Sequence, residues 1–321
     1  MWAYVSRRIL YNVPVYLSII LFVMLALRVN DPIPGKLGKF PDPQVRQKLI
    51  EKTGLDQPFY EQYARFLLQI VTLDFSTESW DRPGITVGEK LSSAVGPSLA
   101  LTVPALALTT VISICVGMIS AYFRGRTIDR CLVVAAVLGM SVSFLVYIIL
   151  GQYFAAFKLN QALDTEIFAI EVGIGGSPPT LTNWPHYYLL PVLISVIVAM
   201  GYDTRFYRAV MVEETGRDYI TTAKAKGAPM VKIMFVHMLK NAMIPIITRV
   251  VISLPFLITG SILLEMYFSI PGMGRELILA VQNKDFPVIQ AFTSVFAGLY
   301  ILTNILTDVL YALVDPRVRL S

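Results

Sequence analysis

Six apolar stretches, each near the roughly 20 residues that a bilayer-crossing helix needs, leave this chain few ways to fold. They run over about 9–29, 98–122, 132–156, 187–206, 243–266 and 287–314. Only 15% of the 321 residues are charged, against about 25% in an ordinary soluble domain. The deficit sits in those runs, so they read as membrane helices and not as one large soluble core. The first run lacks a small-x-small end and is followed by Arg28, Asn30 and Asp31, so it is expected to stay as an uncleaved span. The expected fold is an all-α membrane protein of six transmembrane helices.

The basic residues orient it. The N-terminal end, the second-to-third and fourth-to-fifth connections and the C-terminal end together hold 14 Lys and Arg. The short connections opposite hold only Lys158, Arg275 and Lys284. That asymmetry places both termini and the 205–245 loop in the cytoplasm. It also accounts for the net charge of +5 without nucleic acid. Cys115 and Cys131 lie in or beside apolar runs, with no CxxC and no Cys/His cluster. Neither a disulfide framework nor a metal site is expected, and both read as packing residues.

Four segments follow: a first helix over 1–29, an extracytoplasmic lid over 30–96, a five-helix core over 97–314 and a cytoplasmic tail over 315–321. The lid shows helical pattern over 43–53 and 58–71, divided by Gly54-Leu55-Asp56. The second outer loop, 157–186, carries Gly173, Gly175, Gly176, Pro178 and Pro179. No lysine follows and no strand precedes, so it reads as a turn and not as a phosphate loop. Prolines fall inside spans at Pro14, Pro104, Pro191 and Pro255, where each removes a backbone hydrogen bond and favours a kink. Polar residues in the spans are few: Arg249, Glu265, Asn304 and Asp308. They either line a path or lock helices together, for instance through an Arg249–Asp308 pair.

The 205–245 loop is punctuated like two short helices. Asp218 is an N-cap candidate, Tyr219 to Lys226 has no breaker, and Gly227 stands where a C′ glycine belongs. Pro229 opens a second helix to about Asn241, with Met230, Ile233, Met234 and His237 on one face. Eight residues of helix are marginal alone in water, so the first must dock on something. Spacing alone favours its own bundle over a soluble partner.

The residue pattern reverses that preference. Asp218-Tyr219-Ile220-x-Thr222-Ala223-Lys224-Ala225-Lys226-Gly227, then His237-x-Leu239-Lys240-Asn241-Ala242-x-x-Pro245, resembles the coupling loop of ABC-transporter permeases. The general family motif is Glu-Ala-Ala with a glycine four residues after the second alanine. Here Thr221, Thr222, Ala223 and Gly227 hold those positions, and the missing glutamate is typical of the dipeptide/oligopeptide/nickel branch. The resemblance extends through Arg205-x-x-Arg208 with Glu213, Phe268 to Arg275, Asp285 to Gln290, and Asn304, Asp308, Tyr311 and Asp315 to Arg319. The ending and the long first outer loop resemble the B-type, or first, permease subunit. The outer-surface motifs depart from the family pattern at Asn30-Asp31-Pro32 and at Leu73-Asp74-Phe75-Ser76.

The resemblance implies a permease subunit of an ATP-driven peptide importer in the bacterial inner membrane. Its implied partners are a C-type permease, two cytoplasmic ATPases and an external solute-binding protein. The chain has no G-x-x-x-x-G-K-[ST], so it is expected to bind no cofactor, with ATP and Mg²⁺ on the ATPases. Asp218, Tyr219, Ile220, Thr222, Ala223, Lys224, Lys226 and Gly227 would couple to the ATPase, with Tyr219, Ile220 and Ala223 in its groove. A secondary transporter driven by an ion gradient is the alternative, using Asp308 and Glu265 as coupling acids. A membrane-embedded enzyme is disfavoured: His186 and His237 are the only histidines, with no H-E-x-x-H and no G-x-S-x-G. A purely structural scaffold leaves the loop pattern unexplained.

Overall fold

The computed structural model describes residues 2–28, 44, 47, 50–51, 55–172, 182–254 and 261–314. The expected helix over 43–53, the glycines and prolines of the second outer loop, Pro255 and the tail from Asp315 fall largely or wholly outside them. The described residues are helical, without a strand among them; the single β-bridge joins Glu78 to Thr86. Five helices are long and apolar enough to cross a membrane, and a bent pair makes up to six.

Helix α1 is Trp2–Arg28 and α2 is Phe59–Thr72. They meet through Ile20, Met24 and Phe66, and the Tyr63 hydroxyl donates to the Leu17 carbonyl at 2.9 Å. Helix α3, Val87–Tyr122, begins well before the expected span, because Thr86 and Glu89 form a reciprocal capping box. Thr86 Oγ1 accepts from the Glu89 N–H at 3.2 Å, and Glu89 Oε2 accepts from the Thr86 N–H at 2.9 Å. The end of the segment expected as lid is therefore the first turns of α3.

The third span is not one straight helix. Helix α4, Thr127–Ser141, and helix α5, Phe144–Leu163, meet at 90°. No proline causes this break. Val142 and Ser143 adopt extended backbone, and the Tyr147 hydroxyl bonds the Gly139 carbonyl at 2.8 Å. A carbonyl released by the break thus keeps a partner.

Helix α6, Trp184–Thr215, packs along most of α3. Close approach depends on small residues, as membrane interfaces require. A Cβ added to Gly117 of α3 would stand 2.9 Å from the Arg208 backbone nitrogen and 3.1 Å from Tyr207 Cβ. Gly117→Val should therefore force α3 and α6 apart, at about 1–3 kcal/mol. A lower unfolding midpoint of the purified protein in detergent would register it.

Beyond α6 come α7, Asp218–Ala225, and α8, Met230–Ser253. The expected fifth span, 243–266, is thereby corrected: the spanning helix starts at Met230 and ends at Ser253. Ile262–Tyr267 is a separate short helix, α9, followed by α10, Met273–Gln282, and α11, Phe286–Val314. The start of α3, α2, α9, α10 and the start of α11 share one end of the bundle. The end of α3, the start of α4, the end of α6, α7 and the start of α8 share the other.

The segment before α3 is tied to the α10–α11 turn by the Asp285 carboxylate and by an Asn283–Asp81 bond at 3.0 Å. Asp285 is fully buried and accepts from the Ser79 hydroxyl, the Trp80 N–H at 3.1 Å and Lys90 Nζ at 3.4 Å.

Candidate functional site

Helix α7 is rooted, not free. Ile220 and Ala223 are buried in an apolar cluster with Met118, Tyr207, Met211, Ile233, Met234 and Met238. Burying one isoleucine side chain contributes about 2 kcal/mol, which an eight-residue helix needs, since nucleating it alone is unfavourable. This corrects the placement of Ile220 and Ala223 in a partner's groove: they face their own bundle. Tyr219 is half-buried beside them, and its hydroxyl donates to Glu214. Burial, and then the Glu214 carboxylate, push that hydroxyl's pKa up to about 12, so it remains a donor near neutral pH. Asp218, Thr221, Thr222, Lys224, Ala225 and Lys226 are the exposed face.

Both ends of α7 are set by the backbone. Arg217, not Asp218, occupies the N-cap position, with φ −77° and ψ 146° and no side-chain capping bond. The preceding helix turns off at Gly216 and Arg217, whose N–H groups bond the Glu213 and Glu214 carbonyls. That shift makes Asp218 the first helical residue, where its charge still suits the positive end of the helix. At the other end Gly227 has φ +72°. Its N–H bonds the Lys224 carbonyl at 2.9 Å, and the Ala228 N–H bonds the Ala223 carbonyl at 3.1 Å. These two bonds are the Schellman pair, and the left-handed residue between them favours glycine.

Pro229 then caps α8 in place of opening it, with ψ 152°. The second helix does not stop near Asn241: it runs on to Ser253, with Pro245 inside it. Ile233–Met238 is a π-helical stretch. Its wider turn replaces His237 with Met238 on the inward face, beside Ile233 and Met234.

Behind α7, Arg208 of α6 reaches across to Asp129 of α4. Arg208 Nε and Nη2 donate to the two oxygens of Asp129 at 2.7 and 2.8 Å. Ser120 Oγ donates to Asp129 at 2.6 Å and the Gly125 N–H at 2.9 Å, so the buried carboxylate is fully engaged. Sequence reasoning noticed Arg208 and missed Asp129, since nothing in the linear spacing joins α4 to α6.

The four polar residues expected in the spans do not form one group. Arg249 Nε and Nη2 donate to Asp203 Oδ1 of α6 at 3.0 and 2.9 Å. The expected Arg249–Asp308 pair falls outside the described residues, because the Asp308 side chain does. Asn304 is exposed on α11. Glu265 is fully buried and accepts from Ser98 Oγ at 2.7 Å and from the Gly274 and Arg275 N–H groups at 2.8 and 3.0 Å. It joins α9 to α10 and α3. Asp203 was legible as the one acid within the apolar part of its span, at 187–206, and was overlooked.

Asp203 and Arg249 also border a cavity of about 460 Å³ between α3, α6 and α8. Leu101, Ala105, Leu106, Ser195 and Ser253 contribute to its wall.

The chain is similar to known proteins. Residues 113–320 match the family "Binding-protein-dependent transport system inner membrane component". Glutathione transport system permease protein GsiC of Escherichia coli (strain K12) is 33% identical over 320 residues, covering 98% of each chain. GsiC of Shigella boydii serotype 4 (strain Sb227) and of Salmonella paratyphi A (strain ATCC 9150 / SARB42) match to the same extent. With the apolar helices, these matches place the chain among multi-pass inner-membrane ABC-transporter permeases. The chain belongs to the inner-membrane component family of binding-protein-dependent transport systems, in its dipeptide/oligopeptide importer branch.

Proposed function

We propose that this chain is the first, B-type permease subunit of an ATP-driven importer of small peptides. It pairs with a C-type permease, receives ligand from a solute-binding protein at the α2 end, and rests on two ATPases at the α7 end. Both termini lie in the cytoplasm, in keeping with the 14 basic residues of that side. ATP and Mg²⁺ belong to the ATPase partners. A peptide substrate is supported by the GsiC relatives, whose names carry glutathione.

The observation that carries this reading is α7: a short helix anchored by Ile220 and Ala223, closed by a left-handed glycine, and showing Asp218, Thr222, Lys224 and Lys226 outward. Its root divides the coupling residues into two jobs. The outward set meets the ATPase, while Tyr219, Ile220 and Ala223 pass the movement to α6 and α8. ATP-driven closure of the ATPases would shift α7, and the spans would re-pack around the path.

Gly227→Val tests it. Nothing stands within 4 Å of a Cβ built there, so the cost is conformational, not steric crowding. A β-branched residue in the left-handed region costs about 1–2 kcal/mol, enough to re-aim the end of α7 without unfolding the bundle. The variant should insert at normal abundance and lose at least about tenfold of ATP-driven uptake, since each 1.4 kcal/mol is a factor of ten. Uptake equal to the parent would overturn the coupling role.

The gradient-driven alternative would use Glu265 and Asp308. Glu265 already receives three donors, so its geometry favours locking over proton exchange.

A further inference from the structure

Resting on the peptide-importer reading, we propose that Asp203 and Arg249 are a station for the two charged ends of a zwitterionic peptide inside the membrane path. Arg249 would take the carboxylate and Asp203 the ammonium.

The geometry of the pair is the first reason. An interhelical lock made for stability would use the fork of Arg against both carboxylate oxygens, as Arg208 does with Asp129. Here Nε and Nη2 both converge on Oδ1 of Asp203. Among the described residues no bond engages Asp203 Oδ2 or Arg249 Nη1. The pair is thus neutralised but not saturated, with one carboxylate oxygen and one guanidinium nitrogen left for a ligand.

The surroundings are the second reason. Both residues border the 460 Å³ cavity, which falls in the range of about 300–1,000 Å³ usual for small-molecule sites. Among the described residues they are the only charged ones on its wall. Apart from them the wall is apolar or carries hydroxyls, such as Ser195, Tyr202 and Ser253. Hydroxyls suit the amides of a peptide of any sequence, because they donate and accept without selecting a side chain.

The energetics are the third. A peptide with free termini brings two charges into a medium where each is costly to desolvate. A resident ion pair that opens and re-closes on those termini exchanges one set of paired charges for another. Neither an Asp nor an Arg is then left alone at any stage. When no peptide is present the pair closes on itself, so an empty path holds no bare charge.

The test uses the assembled complex in proteoliposomes, with ATP inside and the binding protein outside. Uptake is measured for alanine peptides of two to five residues with free ends, with an acetylated amino end, and with an amidated carboxyl end. The quantity read is the preference for free over blocked peptide, in the parent complex and in Asp203→Asn/Arg249→Gln. Delivery by the binding protein is common to both complexes and cancels in that comparison. The neutral pair can still hydrogen-bond between α6 and α8, so a merely structural pair predicts an unchanged preference. The station predicts that the preference falls about tenfold or more, the scale of a charged hydrogen bond. Equal preference in both complexes, at equal ATP hydrolysis, overturns the inference and leaves the importer reading standing. A parent complex that takes up no peptide of the set overturns the peptide reading and the station with it. Should the double variant not accumulate, Asp203→Asn alone keeps an oxygen for Arg249. It should then lose discrimination at the amino end only, and unaltered discrimination at both ends overturns the station.

Discussion

Glu265→Ala should be among the most damaging single substitutions in the chain. The carboxylate is fully buried and receives Ser98 Oγ, the Gly274 N–H and the Arg275 N–H. Ser98 Oγ in turn accepts from the Met273 N–H at 2.8 Å. Removing the acid strands two backbone donors and a hydroxyl in a space that water does not fill. Each stranded group costs about 1–3 kcal/mol, so the combined loss is on the order of 4 kcal/mol. The packing above it would fail as well. Gly272 lies so close that even a Cβ would stand 2.4–2.6 Å from the Glu265 carboxylate. The α9–α10 turn is therefore shaped around that side chain. We expect little folded protein after detergent extraction, read as a loss of the monodisperse peak. Glu265→Gln keeps the shape and one acceptor oxygen, and should retain much of the yield. Equal yields for alanine and glutamine would show that the cradle is not what holds the turn.

Arg208→Ala should follow closely in effect, at the opposite end. Asp129 would keep Ser120 and Gly125 as donors and lose its only cation among the described residues. Removing one partner of a buried pair costs about 3–5 kcal/mol. Arg208 is 27% exposed, so water can partly replace it, and about 3 kcal/mol is the better expectation. A fall in unfolding midpoint of the purified protein is the measurement. Arg208→Lys restores a charge but not the fork, and should recover only part of the loss. The double substitution Asp129→Asn/Arg208→Gln removes both charges, so it should be less harmful than Arg208→Ala. A double variant no better than the single would mean that the guanidinium stem, not the ion pair, carries the stability.

The apolar runs were plain in the sequence, because a bilayer span needs an uninterrupted length that little else requires. The α7 ending was also plain: Gly227 followed by Pro229 is a local signal, and local signals survive without knowledge of the rest. What sequence could not supply was azimuth. The inward turn of Ile220 and Ala223 depends on where α6 and α8 pack, and so do the pairs Asp203–Arg249 and Asp129–Arg208. The 90° bend at Val142 and Ser143 had no proline to announce it, while Pro14, Pro104 and Pro191 lie within continuous helices. The π-helical stretch over Ile233–Met238 moved the buried face by one residue, which a fixed helical period cannot anticipate.

The rooting of α7 beside the end of α6 has a geometric consequence. A 32-residue rod is about 48 Å long at 1.5 Å per residue. If it tilts by about 10° about a pivot near its foot, the far tip sweeps about 8 Å. That is wide enough to admit or shut out a short extended chain, whose residues each advance about 3.5 Å. A nudge at the foot no larger than a side chain would thus be magnified into a stroke at the distant mouth.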